Sequence, residues 1–96
     1  MKESELVSKI MKELRKLPHL FCWKEHGGIY GTAGIPDIIV CASGRFIGLE
    51  VKLPGGSYGA TALQQKTIRD IQEAGGSAAV VRSIDEAIQI VKEATR

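Results

Sequence analysis

Two short apolar segments flank Ser43-Gly44 and place the strongest constraint on how this chain folds. Residues 37–42 (DIIVCA) and 45–52 (RFIGLEVK) have the length and apolar content of strands. A two-residue connection containing glycine is typical of a tight β-hairpin turn. The pattern therefore predicts an antiparallel hairpin in which the numbers of facing residues add up to 87, as those of Ser43 and Gly44 do.

The predicted register brings three ionisable residues to one face of the hairpin. Asp37 is expected directly opposite Glu50, with Cβ atoms about 4.5–5.5 Å apart. Lys52 shares that face because side chains alternate along a strand. Two facing carboxylates repel, and a hard divalent cation relieves the repulsion because it prefers carboxylate oxygens. The alternatives are a salt-bridged trio on a solvated sheet face, or a register slip that separates the two acids.

Helical periodicity and helix-start signals predict three helices. The first is closed by Pro18. The other two each open with a capping box, in which a hydroxyl and a side chain three residues later satisfy each other's backbone N–H groups. Thr61 with Gln64 forms the first box, and Ser83 with Glu86 forms the second. The helices are predicted over residues 6–17, over residues 61–74, and from residue 84 onward.

Two further strands are predicted over residues 20–25 and 77–82, and a glycine-rich loop over residues 27–34. The element order is therefore α-β-β-β-α-β-α. Such an order indicates an α/β domain with one mixed sheet flanked by helices, extending over residues 1–96.

Composition fits one small domain. The chain has 96 residues, of which 44% are apolar and 25% charged, with a net charge of +2. A chain of this length has a small core, which favours a dimer. No apolar run reaches the length of a membrane-spanning helix, and the N-terminus is too charged for a signal peptide, so a soluble cytoplasmic protein is expected. Cys22 and Cys41 each lie in an apolar run and are expected to be core residues.

Four segments together resemble a known family. GIPDIIV is followed by GLEVK, then by a glycine-rich segment, and then by TALQ at a helix start. This sequence is similar to the VRR-NUC (virus-type replication-repair nuclease) group of the PD-(D/E)xK nuclease superfamily. The resemblance extends over nearly the whole chain and implies a restriction-endonuclease-like fold. It also implies a Mg²⁺- or Mn²⁺-dependent DNA endonuclease.

The resemblance implies a substrate and an assembly as well. Stand-alone members of the group are similar to resolvases of phage and bacterial origin that act on branched DNA in repair, such as four-way (Holliday) junctions. No separate module for reading DNA sequence is evident in the chain, which favours recognition of DNA shape. A symmetric homodimer would present two active sites to a four-way junction.

Carried over to this sequence, the resemblance makes Asp37 and Glu50 metal ligands and Lys52 the catalytic lysine. The carbonyl of Val51 is a further candidate ligand. The family also has a glutamate on its first helix, and apolar spacing favours Glu3 over Glu5 for that role.

Two of these assignments have structural alternatives. Glu3 is equally explained as an acid interacting with a helix dipole, and a cap at Ser4 would leave it outside the helix. The family's glutamine after the ExK strand corresponds to Gln64, which shares a helix face with Ile68 and is expected to orient a water or a phosphate. Gln64 is also half of a capping box, and both roles stay open.

Three residues near the glycine-rich loop are candidate DNA contacts: Lys24, His26 and Tyr30. Residues of these types are more often ordinary surface or core residues, and Trp23 is expected in the core or at an interface. Two other functions stay open for the whole chain. One is a DNA-binding module without catalysis, and the other is a nuclease of the same chemistry that cuts ordinary duplexes.

Overall fold

The predicted order of elements is confirmed in the computed structural model, which describes residues 1–26, 31–56 and 59–96. Three helices and four strands follow the order α-β-β-β-α-β-α. They are α1 (Glu3–Leu14), β1 (Leu20–Lys24), β2 (Ile38–Ala42), β3 (Arg45–Val51), α2 (Ala62–Glu73), β4 (Ser77–Val81) and α3 (Ile84–Ala94).

The four strands form one mixed sheet in the order β1-β2-β3-β4. β2 is antiparallel to both β1 and β3, whereas β4 lies parallel to β3. The sheet therefore has two edges, formed by β1 and β4. The parallel pair requires a crossover, and α2 supplies it, as expected for a parallel connection.

The β2–β3 hairpin has the predicted register. Ala42 faces Arg45 and Ile38 faces Leu49 across the ladder. Ser43 and Gly44 both have positive φ angles, 50° and 78°, as the common two-residue hairpin turn requires. A short turn of this type fixes the pairing of every residue on the two strands.

Helices α1 and α3 cover one face of the sheet and enclose the hydrophobic core. Alternate residues of each strand point into this core. The fully buried members are Ile10, Leu14, Ile38, Val40, Ile47, Leu49, Val51, Val81 and Ala87. Helix α2 lies on the opposite face and has no fully buried residue.

A close approach between the sheet and the residues before β2 occurs at Gly48. A Cβ atom on Gly48 would lie 2.8 Å from Cγ of Pro36 and 3.3 Å from Cδ1 of Ile71. Only glycine leaves room here for Pro36 and for α2 to rest on β3. Pro36 is buried and directly precedes Asp37, so this packing fixes where the chain enters β2.

The helix starts match the local signals in part. The capping box at α2 is complete: Gln64 N–H donates to Oγ1 of Thr61, and Thr61 N–H donates to Oε1 of Gln64. The second predicted box is only half formed. Ser83 accepts from Glu86 N–H, but the Glu86 carboxylate reaches one residue further back and accepts from the N–H of Arg82.

Helix α1 begins three residues earlier than predicted and ends at Leu14, before the two turns that lead to Pro18. It starts at Glu3 after Lys2, whose side chain makes no capping hydrogen bond, so Ser4 lies inside the helix and is not its cap. None of the helices in the described residues is long and apolar enough to cross a membrane.

The two cysteines differ in their exposure to solvent. Cys22 is buried in the core, as predicted, but Cys41 is exposed. The prediction for Cys41 was wrong because its side chain points to the sheet face opposite the core. The packing of α2 on that face centres on β3 and β4.

We expect Gly48→Ala to destabilise the fold by about 1–3 kcal/mol. The added methyl group would overlap the ring of Pro36, and neither β3 nor the buried Pro36 can shift freely to make room. Gly59→Ala is the matched control, since a Cβ atom at Gly59 meets nothing within 4 Å. Urea unfolding of both variants measures the difference. Equal stability of the two would contradict the close approach.

Candidate active site

The carboxylate of Asp37 is held against the backbone of β3. Asp37 directly precedes β2, and its Oδ2 atom accepts a hydrogen bond of 2.8 Å from the N–H of Val51. By continuing the hairpin register, Asp37 falls opposite Glu50, as the sequence predicts. The carboxylate of Asp37 therefore lies against the backbone of Val51, the residue between Glu50 and Lys52.

Glu50 is the one charged residue in the described part of the chain that is fully buried, with 2% of its surface exposed. It sits in β3 between Leu49 and Val51, which both point into the core, so its own side chain points to the other face. Both carboxylate oxygens are buried, and neither has a hydrogen-bond partner among the described residues. A buried carboxylate in this state is costly, and it is normally paired, protonated or bound to a cation.

The surroundings of Glu50 oppose its ionisation. Burial, followed by the neighbouring Asp37, raises the pKa of Glu50 from 4.5 to about 8. Asp37 acts both as a nearby acceptor that would favour the protonated form of Glu50 and through its negative charge. The positive charge of Lys52 lowers the pKa of Glu50 but offsets only part of this rise.

Lys52 directly follows β3, and its backbone N–H donates to the carbonyl of Val81 at 3.0 Å. Its side chain forms no ion pair with any described residue. Its positive charge is close enough to lower the pKa of Glu50 without forming an ion pair with it. Lys52 is therefore available to a group that lies near both carboxylates.

The Asp37–Glu50 pair has the donor set that a hard divalent cation prefers. Two carboxylates face each other, and one of them is buried with free lone pairs. No three His, Cys, Asp or Glu side chains in the described part of the chain are close enough together to hold a metal ion. The protein alone therefore offers two carboxylates, and Val51 adds a backbone carbonyl beside them.

The structure does not bring Glu3 to this pair. Glu3 is exposed in the first turn of α1, which covers the core face of the sheet, whereas Glu50 points to the opposite face. Its role as a metal ligand stays a prediction from the resemblance, without support from the geometry.

Gln64 acts as the helix cap that its spacing indicates, through the hydrogen bond from Thr61 N–H to its Oε1 atom. Its Nε2 atom makes no hydrogen bond to a described residue, so the amide is free to donate. The cap is therefore confirmed, and a catalytic role stays a prediction.

Of the three candidate DNA contacts, two are exposed and lie at the same end of the sheet as the Asp37–Glu50 pair. Lys24 ends β1, where it pairs with Ile38, and His26 follows two residues later. Lys24 lines a shallow depression with Lys9 of α1. Tyr30 lies outside the described residues.

One acidic residue at this end was not singled out from the sequence. Glu25 donates its backbone N–H to the carbonyl of Asp37 at 2.8 Å, which extends the β1–β2 register by one pair. Asp37 therefore faces two acidic residues across the sheet, with Glu25 on the β1 side and Glu50 on the β3 side. The long connection between β1 and β2 gives no sequence signal for this register. The carboxylate of Glu25 accepts a hydrogen bond from the indole of Trp23.

Two solved structures share this fold. One, described as a VRR_NUC domain protein, has a TM-score of 0.75 and 22% identity, and the match covers 98% of this chain and 88% of that one. The other, described as a VRR_NUC domain, has a TM-score of 0.71 and 18% identity over 94% of each chain. No protein-family model and no curated protein matches the chain. The chain thus has the α/β fold of VRR_NUC domains, as the sequence resemblance implies.

We expect the stability of the metal-free protein to fall as pH rises from about 4.5 to about 8. Within this range the unfolded chain releases the Glu50 proton while the folded protein retains it, so ionisation favours unfolding. Glu50→Gln removes this titration and adds N–H donors that can reach Asp37. The variant should therefore be more stable than wild type by about 1–3 kcal/mol at pH 9 in chelator. Urea unfolding of both proteins at pH 5 and pH 9 measures the effect. An equal change with pH in the two proteins would contradict it.

Proposed function

We propose that this chain, which has the fold of VRR_NUC domains, is a metal-dependent endonuclease that hydrolyses phosphodiester bonds in branched DNA. The observation that carries the proposal is the buried carboxylate of Glu50, which has no hydrogen-bond partner among the described residues and lies beside Asp37. A carboxylate pair of this kind is useful to the protein when a cation neutralises it. The fold supports the nuclease assignment independently, because the matching structures are VRR_NUC domains.

The proposed roles follow from the chemistry of each group. Asp37 and Glu50 would hold Mg²⁺ or Mn²⁺, with the carbonyl of Val51 as a further ligand. When bound, such a cation polarises the scissile phosphate and lowers the pKa of an attacking water. Lys52 would position that water and stabilise the negative charge that develops on the phosphate. The hydrogen bond from Val51 N–H keeps the Asp37 carboxylate in place for this task.

Branched DNA and a homodimer are proposed from the content of the fold and from symmetry, and not from the carboxylate pair. The described elements are those of the α/β fold itself, with no added module that reads sequence. Recognition of DNA shape is then the simplest source of specificity. Two copies related by a two-fold axis would offer two sites to a four-way junction and cut two strands symmetrically.

A cleavage assay tests the chemistry and the substrate together. Labelled four-way junction DNA and a linear duplex of the same sequence are incubated with the protein in Mg²⁺, Mn²⁺ or chelator. We expect cation-dependent cleavage that favours the junction, with products that carry 5′-phosphates. Lys52→Ala should lower the rate roughly 100-fold or more. Lys66→Ala is the matched control because Lys66 is an exposed lysine paired with Asp70 on α2.

Each outcome of this assay has a definite meaning. Binding without cleavage in Mn²⁺ would identify a DNA-binding module without catalysis. Equal cleavage of junction and duplex would retain the chemistry and reject the branched substrate. Full activity in Lys52→Ala would reject the proposed mechanism. Light scattering measured during size-exclusion chromatography tests the dimer separately.

A second experiment tests cation binding without relying on activity. Mn²⁺ at about 100 times its Kd should stabilise the wild-type protein by about 2.7 kcal/mol. Asp37→Asn and Glu50→Gln should each abolish most of this gain because they remove a carboxylate ligand. Thermal unfolding with and without Mn²⁺ measures it. Equal stabilisation of all three proteins would place the cation elsewhere.

The two proposed roles of Gln64 are separable by Gln64→Glu. Glutamate completes a capping box as well as glutamine does and suits a helix N-terminus, so stability should change by less than about 0.5 kcal/mol. If the amide contacts a phosphate or the water, the added charge should lower cleavage at least about 10-fold. Gln65→Glu adds the same charge one position along the helix and should leave cleavage near wild type. Unchanged cleavage in Gln64→Glu would leave Gln64 as a cap alone.

A further inference from the structure

Two aromatic side chains form an exposed platform on the edge strand β1. Phe21 is 66% exposed and Trp23 is 41% exposed, and their ring centroids lie 5.8 Å apart. Both project opposite to Cys22, which is buried in the core, so they lie on the sheet face that carries Glu50. On this face α2 rests on β3, as the contact of Ile71 with Gly48 shows, and no described element covers the two rings.

The indole ring of Trp23 is held in one orientation. Its Nε1 atom donates a hydrogen bond of 2.8 Å to Oε2 of Glu25. The bond uses the edge of the ring and leaves a face of the indole available to solvent. The carboxylate of Glu25 also disfavours a phosphate at this point, so the ring is suited to a neutral planar group.

The platform lies close to the proposed catalytic site. Trp23 faces Ile39 across the β1–β2 ladder, and Glu25 faces Asp37 one pleat further along. Trp23 is offset from the pair by two residues along the strands, about 7 Å, and by one to two strand spacings of about 4.8 Å across the sheet, which gives roughly 8–12 Å. A nucleobase one or two nucleotides from a phosphate at the Asp37–Glu50 pair could therefore stack on Trp23.

The size of the platform favours a small planar ligand over a second copy of the chain. An aromatic side chain offers roughly 150–250 Å² of surface, so the exposed fractions of Phe21 and Trp23 leave roughly 200 Å². Each partner of a stable dimer buries about 800 Å². One or two nucleobases match the smaller area.

Basic groups lie on the other side of the same edge strand. Lys24 and Lys9 line a shallow depression together with Ser4, Glu5 and Ser8, and neither lysine forms an ion pair with a described residue. Because β1 is a sheet edge, a nucleic-acid strand passing around it would meet the lysines on one side and the aromatic rings on the other. Phosphate contacts and base stacking are the usual combination for binding single strands.

We propose that Trp23, supported by Phe21, stacks an unpaired nucleobase of DNA next to the cleavage site. This inference deepens the proposed function, on which it rests, by naming the substrate feature that the protein reads. Unpaired bases occur at flaps, gaps and single-stranded ends, and a four-way junction supplies one when a base pair at the crossover opens, whereas a perfect duplex supplies none.

Intrinsic fluorescence tests the stacking directly because Trp23 is the single tryptophan of the chain. The wild-type protein is titrated in chelator, where no cation-dependent cleavage occurs, with a ten-nucleotide oligothymidylate. An abasic oligonucleotide of the same length is the control because it has the same phosphates and no bases. We expect the oligothymidylate to quench the fluorescence and to bind at least 5-fold more tightly than the abasic strand.

Two substitutions separate ring stacking from bulk and from folding. Trp23→Phe keeps a π face and should bind a dye-labelled oligothymidylate within about 3-fold of wild type, measured by fluorescence anisotropy. Trp23→Leu keeps an apolar side chain without a π face and should weaken binding roughly 5- to 100-fold. Phe46→Ala is the matched control, because Phe46 is 46% exposed on the same sheet face but lies four residues from Glu50. It should leave binding unchanged.

The remaining outcomes overturn the proposal. Equal binding of the oligothymidylate and the abasic strand would mean that only phosphates are recognised. Equal binding by Trp23→Phe and Trp23→Leu would show that no ring stacks on a base. A wild-type dimer that Trp23→Leu converts to a monomer would identify the platform as an interface between copies. The cleavage assay is independent of these measurements, so an inactive protein that still shows base-dependent quenching would reject the endonuclease and retain the stacking site.

Discussion

The carboxylate of Glu50 is buried in the sheet with both oxygens free of hydrogen bonds from described residues, and the surrounding structure is arranged around this costly group. An unpaired buried charge opposes folding. Here it is tolerated because the folded protein favours the protonated form of Glu50, whose pKa rises to about 8 beside Asp37. Such a site is poised for a cation, which would replace the proton. Stability and the proposed chemistry therefore compete for the same two oxygens.

Several contacts keep the pair in place. The hairpin turn sets the register, and the N–H of Val51 fixes the Asp37 carboxylate at the end of β2. Pro36 packs against Gly48, where no side chain fits, and so determines how the chain enters β2. The backbone thus keeps the two acids facing each other, as their proposed catalytic role requires. Lys52 is left without an ion partner among the described residues and can serve a bound phosphate.

The two faces of the sheet differ, because one contains the core and the other carries the proposed site. The face under α1 and α3 contains the apolar core. The other face carries the carboxylate pair, the cap residue Gln64 at the start of α2, and the aromatic platform of Phe21 and Trp23. Since α2 rests on β3 and leaves Trp23 exposed, DNA could approach the pair from the β1 edge. The proposed cleavage site and the proposed stacking site would thus share one open surface.

Features that depend on residues close together in the chain could be predicted from the amino-acid order. A two-residue turn fixes strand pairing, so the facing of Asp37 and Glu50 followed from counting, and the capping box of Thr61 and Gln64 followed from spacing. The order of elements was equally readable from periodicity. Tertiary structure decided what depends on distant segments. The connection from β1 to β2 is long and sets no register, so only the folded sheet revealed Glu25 beside Asp37 and Trp23 on the open face. Layer packing likewise kept Glu3 away from the pair, because α1 covers the opposite face of the sheet.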